Sequence, residues 1–597
     1  MSCPLALLFG FAAFTDKPKW LRLLAAGVNI YFLGFPLVVL LDTLVFQWIG
    51  QRLFSRHFTD AMGELPRLTS FASSGSVALM IWAAVLGLGI PAVAWILSNG
   101  LNNLIRRRMR APLMVVVGLA YAWAMVSGTC HLLNANANLA KAMEYRSAAH
   151  PFYVFGLLKT PTVGAKVKLQ AQDVSEGLTP VMTGEVTNQQ YSPSFLARER
   201  RLRFARTLPS RQLGPFPDVV VVVIESLRPE LVTTAVMPNV SRLAEEGINC
   251  RSHFSGGNAT NHGVFSLVTG LEPMWFGTSQ RFDPCMFRWF KSLGFKTGFF
   301  AGADDWEEYQ MNGFIRPQLF DQYEVRSRDG IASDRRAVQL ASSFLSRADR
   351  SFDPKIDSEP RLAFVYLYGT HATYQSYASD QLDQPAADNR FPFPYPARMR
   401  NKVWNRYRNS ARTVDRLIKP LLLRDSIVVV VGDHGEAFLE DGTVGHGTRL
   451  SRYQNMTAAV LYCPGNSSQL VEQPTSHADV LPTILSFLKV NLSDPEAIDG
   501  LSLTAATEQQ LRARRFCVRN YLSEEYGLIG PWTMNSTKPF AYRFAASIKT
   551  ESASPMNGID EFGLETDVQN FREQRAEVTR WMSHFYRHVP ATEIKTK

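Results

Sequence analysis

Apolar residues are unevenly spread along the chain. They gather in three long runs near the start, at residues 23–46, 75–97 and 112–133, and then in short runs from residue 216 onward. Each long run reaches the roughly 20 residues that a bilayer-spanning helix needs. The first is broken mainly by Asn29 and Asp42; the other two carry no formal charge. These patterns predict three transmembrane spans. Residues 4–14 are apolar but too short to span, with no basic stretch before them, so they read as an interfacial segment or the stump of a longer helix.

Basic residues orient the spans, because cytoplasmic loops carry the excess of Lys and Arg. Arg106, Arg107, Arg108 and Arg110 lie between the second and third spans, and Lys17, Lys19 and Arg22 precede the first. The third span then runs outward, and everything beyond residue 134 is expected outside the cytoplasm. Arg52, Arg56 and Arg67 in the loop at 47–74 work against this orientation. Residues 135–215 read as a connector punctuated by Pro161, Pro180, Pro193 and Pro209. It ends in a basic cluster of Arg198, Arg200, Arg201, Arg203 and Arg206. That cluster is either a solvated helix face or a contact for anionic lipid headgroups, the partner expected for this chain.

From residue 216 the pattern changes. Residues 218–224 (DVVVVVI), 296–301 (KTGFFA), 361–368 (RLAFVYLY), 426–431 (SIVVVV) and 456–462 predict buried strands. Residues 238–246, 287–293, 334–347, 405–423 and 478–490 predict helices between or after them. Such alternation defines an α/β domain with a mostly parallel sheet, placed at 216–540. Residues 541–597 form a C-terminal tail with a surface helix predicted over 567–589.

Composition narrows the class. Of the 597 residues, 46% are hydrophobic and 19% charged, which excludes a disordered chain. Mean hydropathy is −0.08, so the chain is not membrane-embedded throughout. The net charge of +10 is accounted for by loops flanking the spans and by the connector, and no nucleic-acid partner is expected. Six cysteines exclude a disulfide scaffold; whether Cys250, Cys285, Cys463 and Cys517 pair is left open.

Parallel sheets bind ligands at the carboxyl ends of their strands. Two valine-rich strands end there in polar residues without a packing purpose: Glu225 after the first, and Gly432-Asp433-His434-Gly435-Glu436 after another. Carboxylate oxygen with imidazole nitrogen suits one divalent cation, Zn²⁺ or Mn²⁺ foremost and Mg²⁺ or Ca²⁺ as alternatives. A strand-end carboxylate also serves as an N-cap or turn residue. The flanking glycines are read as letting the backbone turn. Thr260, in the loop SGGNATNHG, stands where a helix begins; it is either an N-cap or a nucleophile activated by the metal. His371 and His446 also follow predicted strands or loops; they are structural, or they bind a transferred anion and protonate a leaving oxygen.

VVVVIES, SGGNATNHGVFSLVTG, VVVVGDHGEAF with GHGT, and SHADVLPTIL occur in this order. Together they resemble the sulfatase branch of the alkaline phosphatase superfamily over residues 216–505. The resemblance implies that Glu225, Thr260, Asp433 and His434 hold the metal, that Thr260 is the nucleophile, and that His371 and His446 face the substrate. A threonine nucleophile is similar to lipoteichoic acid synthases and phosphoethanolamine transferases. The C/S-x-P-x-R motif of true sulfatases is missing around Thr260, which argues against ordinary sulfate ester cleavage. The membrane part and connector resemble the YejM/PbgA inner-membrane proteins.

The expectation is thus a membrane-anchored, metal-dependent hydrolase or phosphotransferase acting on lipid-headgroup-like phosphoesters outside the cytoplasm, in a bacterial inner membrane. The alternative is a lipid- or lipopolysaccharide-sensing regulatory protein with little turnover.

Overall fold

The computed structural model describes residues 216–531, except 303–310, 312, 326–329, 347–358, 394, 493, 495–496 and 522–524, together with Leu202 and two strands at 541–556. The chain divides into two compact units: residues 1–162 with 391–394, and residues 163–390 with 395–597. The second unit carries the fold below. The three expected spans, the stump at 4–14, the arginines of the connector and the helix expected over 567–589 lie outside the described residues. No helix among the described residues is long and apolar enough to cross a membrane.

In chain order the main elements are β1 (Val219–Ile224), α1 (Pro238–Glu246), β2 (Ile248–Phe254), α2 (Thr260–Thr269), α3 (Cys285–Ser292), β3 (Lys296–Ala301) and β4 (Gln322–Val325). There follow α4 (Ile331–Leu345), β5 (Arg361–Leu367), α5 (Arg400–Ile418), β6 (Ile427–Gly432), β7 (Ala437–Phe438), β8 (Val444–Gly445), β9 (Ala459–Tyr462) and β10 (Gln469–Ser476). The last are α6 (Val480–Phe487), α7 (Glu508–Ala513), β11 (Phe516–Arg519), β12 (Glu525–Ile529), β13 (Ala541–Ser547) and β14 (Ser552–Met556).

The large sheet has the order β10-β2-β9-β6-β1-β5-β3-β4. Its pairs are parallel except where β9 runs against β2 and β6. β1 (VVVVVI) sits between β6 and β5, and every residue of the three strands is buried. β-Branched side chains suit such a pleated surface, and helices on both faces keep water from it. One face carries Val219, Val221, Val223, Phe364, Tyr366, Val429 and Val431 in a single apolar cluster with Phe265 of α2, Phe287 of α3 and Ile484 of α6. On the other face, Phe300 of β3 meets Phe344 of α4 at 5.5 Å between ring centroids. There the Asp415 carboxylate of α5 also accepts from the Val240 N–H of α1 (2.9 Å).

A four-stranded antiparallel sheet, β11-β12-β13-β14, was not foreseen from the pattern. It runs across residue 540, the edge drawn from the sequence. β2, β4 and β10 were likewise unforeseen. The four described cysteines, Cys250, Cys285, Cys463 and Cys517, are all free thiols.

Candidate metal centre

The site is built where β1, β6 and β5 end. The ladder continues one step past β1 and β6: the Glu225 N–H donates to the Leu367 carbonyl (2.9 Å), and the Asp433 N–H to that of Ile224 (3.2 Å). Strand side chains alternate between faces. Glu225 therefore follows Val221 and Val223 onto the face that carries Phe364 and Tyr366, and Asp433 follows Val429 and Val431 onto it. The same face is covered by α2, whose first residue is Thr260.

Glu225, Asp433 and His434 offer ligand atoms that lie within 4.8 Å of one another, all in buried residues. His434 Nε2 is 3.1 Å from Glu225 Oε1 and 3.4 Å from Asp433 Oδ2. The Thr260 hydroxyl stands 3.3 Å from Glu225 Oε2 and 3.4 Å from His434 Nε2. Thr260 is not the helix cap: Ala259 holds that position, and no side chain caps the helix. The hydroxyl thus faces the carboxylates at the positive end of the helix dipole.

The donor set fits a divalent cation. His434 Nδ1 lies 2.8 Å from the Gly435 carbonyl, which can only accept, so Nδ1 carries the proton and Nε2 points at the carboxylates. The electrostatics ask for positive charge at this point. Burial pushes the Asp433 carboxyl up to about 7, with the Glu225 charge adding to it. Burial opposes the His434 imidazolium, but Asp433 and Glu225 raise it to about 10. Burial likewise opposes ionisation of Glu225, yet the hydrogen bond and charge of His434, with His371 and His446, hold it well below the usual carboxylate range. Two carboxylates here share a compensating positive charge on His434 Nε2, which faces both.

The chain bends at Asp433-His434, and the glycines on either side also serve close approach. A Cβ on Gly432 would lie 2.1 Å from Thr457 Oγ1, and one on Gly435 2.2 Å from the Tyr453 carbonyl oxygen. Ser226, next to Glu225, is left-handed, at φ 56°. It is held there by its N–H to Asp433 Oδ1 (2.8 Å) and by the Tyr407 hydroxyl donating to its carbonyl (2.5 Å). Left-handed backbone costs a non-glycine residue roughly 1–2 kcal/mol, and the two bonds offset it.

His371 and His446 reach the same pocket. Ring centroids of His434 and His446 are 4.1 Å apart, and those of His371 and His446 5.8 Å. Their ring nitrogens and a Glu225 oxygen also lie within 4.8 Å of one another. His371 Nδ1 is 2.8 Å from the Ala372 carbonyl, so Nδ1 carries the proton. Burial lowers the pKa of His371. His446 Nδ1 is 2.6 Å from Glu436 Oε2, and the other oxygen of Glu436 accepts from the Tyr374 hydroxyl. Burial opposes ionisation of Glu436, but the charge and hydrogen bond of His446 hold it ionised below its ordinary value.

All six residues expected from the sequence are therefore gathered around one point. Sequence reasoning missed Tyr366, whose hydroxyl contacts both Glu225 and Asp433 Oδ2, the latter at 2.7 Å. It also gave no role to Glu436, although the GDHGE run displays it. For Tyr366 the available signal was parity: it stands on the face of its strand that ends in the site.

Residues 217–490 match the sulfatase family model. The curated relatives include the inner membrane protein YejM of Salmonella typhi, 22% identical over 310 residues. That alignment covers 48% of this chain and 44% of YejM, so it spans less than half the length of the relative. Among solved structures, an alkaline phosphatase superfamily protein of Vibrio parahaemolyticus is 17% identical, with a TM-score of 0.43, over 66% of this chain and 95% of that one. The C-terminal periplasmic domain of EcEptC from Escherichia coli, in complex with Zn, is 15% identical with a TM-score of 0.38, over 50% and 93%. The lipoteichoic acid synthase LtaP from Listeria monocytogenes is 14% identical with a TM-score of 0.41, over 66% and 98%.

Proposed function

We infer that this chain is a membrane-anchored, metal-dependent phosphoester transferase or hydrolase that uses Thr260 as nucleophile, outside the cytoplasm, on lipid-headgroup-like substrates. The observation that carries the reading is the Thr260 hydroxyl, aimed from the start of a buried helix into a cluster of two carboxylates and an imidazole. Glu225, Thr260, Asp433 and His434 would hold one divalent cation, with Zn²⁺ and Mn²⁺ best matched to the donors. When bound, that cation supplies Lewis acidity at the phosphoryl oxygens and lowers the hydroxyl pKa so that Thr260 reacts as an alkoxide.

Thr260 Oγ attacks phosphorus, and the phosphorus–oxygen bond to the leaving group breaks. The departing oxygen takes a proton from Nε2 of His446, which Glu436 holds through Nδ1. An acceptor hydroxyl, or water, then gives its proton back to that imidazole and attacks the phosphothreonine; the Thr260 Oγ–phosphorus bond breaks. His371, whose ring lies beside that of His446, would face the transferred group. The five arginines between 198 and 206 supply attraction to anionic headgroups, each contributing about 1 kcal/mol near such a surface.

The test is Thr260→Ala beside Thr260→Ser, assayed on a phosphodiester with mass spectrometry of the reacted chain. The Ala variant is expected to lose turnover and the phosphothreonine adduct, while Ser keeps part of both. Wild-type turnover in the Ala variant would remove Thr260 from the chemistry.

A further inference from the structure

Tyr366 is fully buried in β5, between the apolar cluster behind it and the two carboxylates in front. A phenylalanine would fill the same volume. What tyrosine adds is one hydroxyl, and it meets two groups of the metal centre. It donates to Glu225 Oε2 and lies 2.7 Å from Asp433 Oδ2. A buried hydroxyl is costly unless it is hydrogen-bonded, so its place beside these two oxygens is selective.

The oxygens of the two carboxylates have separate tasks. Glu225 Oε1 turns toward His434 and Ser226 and Oε2 toward Tyr366, with the Thr260 hydroxyl near both. Asp433 Oδ1 accepts from the backbone N–H groups of Ser226 and His434, each at 2.8 Å. That leaves Oδ2 to Tyr366 and His434 Nε2. β1 lies between β5 and β6, so Glu225 and Asp433 come from neighbouring strands, and the backbone N–H groups hold only Oδ1 of Asp433. The phenol, reaching over from the third strand, touches both. Outer-shell partners of this kind orient ligands and raise metal affinity.

We propose that Tyr366 is a positioning residue of the metal centre: its hydroxyl clamps Glu225 and Asp433 in the orientation that binds the cation. The inference rests on the metal-centre reading above. Tyr366 itself touches neither substrate nor reacting atoms in this role, and its effect is read in metal affinity.

The experiment uses the full chain in detergent, stripped of metal, with Zn²⁺ as the probe and a chromogenic chelator as competitor. Tyr366→Phe removes only the hydroxyl, and Tyr366→Met fills the site with a different apolar side chain. Both are expected to bind Zn²⁺ about 10- to 100-fold more weakly than the wild type, the range for outer-shell partners. Glu225→Ala, which removes a ligand, sets the baseline for no site. Zn²⁺ affinity in either Tyr366 variant equal to or tighter than that of the wild type overturns the clamp and leaves the metal centre standing. Wild-type affinity no greater than that of Glu225→Ala overturns the metal centre itself.

Discussion

The sharpest test of the chemistry is Glu436→Gln. In the folded chain Glu436 is buried with one oxygen 2.6 Å from His446 Nδ1 and the other bonded to Tyr374. Gln keeps the shape but loses the charge, and it can present an N–H to Nδ1 as readily as an oxygen, so the imidazole is no longer fixed. A hydrogen bond to a charged group is worth about 1.5–3 kcal/mol. At 1.36 kcal/mol per tenfold in rate, its loss corresponds to a fall in kcat of about 10- to 150-fold. That reaches only the lower end of the contribution general acid–base catalysis makes, roughly 10²–10⁴, as expected for a residue that orients the acid without replacing it. The assay compares two phosphodiesters, one with an activated aryl leaving group and one with an alkyl leaving group. The aryl group departs without a proton, so its turnover should change little, whereas the alkyl ester should show the full fall. An equal fall on both would mean that Glu436 supports the pocket and not the proton. No fall on either would take His446 out of the leaving-group role.

Two further outcomes are expected. Burial, together with the nearby charge of Asp499, raises Glu272 to about 8 against 4.5 in the unfolded chain. Its proton therefore stabilises the fold fully below about pH 4.5, and that stabilisation is lost as the pH rises toward 8, at most about 5 kcal/mol. Glu272→Gln should raise the unfolding temperature relative to the wild type at pH 8 and leave it unchanged at pH 4.5; the reverse order would show that Glu272 is ionised in the fold. A reporter fused after residue 215 should be active only outside the cytoplasmic membrane, and one near Arg107 only inside it; opposite labelling would put the metal centre in the cytoplasm.

Legibility in the sequence followed burial. β1 and β6 announce themselves because a strand covered on both faces is a continuous run of β-branched residues, as in VVVVVI and IVVVV. β2 (INCRSHF) and β10 (QLVEQPTS) carry polar residues and alternate less, since β10 forms the rim of the sheet and its outer residues meet water. α5 begins at Arg400, ahead of the expected 405, because its first turn (RNKVW) is mostly polar and partly solvated. Glu225, Asp433 and His434 stood out as polar residues directly after apolar strands. Tyr366 did not, because it lies inside the run RLAFVYLY, where a tyrosine looks like one more core side chain. Only the register, Val223 opposite Tyr366, shows that its hydroxyl reaches the end of β1.

That register explains why the site forms where it does. Three neighbouring parallel strands point the same way, so their last residues meet at one edge, and the period of two selects which of those residues share a face. Glu225 and Asp433 share one because β1 and β6 align Val223 with Val431, and each carboxylate lies two residues beyond. The backbone then has to leave the sheet abruptly, and Ser226 does so at φ 56°. The strain is held by contacts with Asp433, itself in the cluster, and with Tyr407 of α5. α2 completes the arrangement by delivering Thr260 over the same edge. There a Cβ on Gly263 would stand 2.1 Å from the Asp433 carbonyl oxygen, and glycine lets the helix come that close. The Ser255 hydroxyl donates to the same carbonyl at 2.5 Å, tying the loop before the helix to the loop after β6. Thr260 and the carboxylates are thus positioned by one set of contacts. A change that moves α2 away from Asp433 would separate Thr260 from Glu225 without altering either residue.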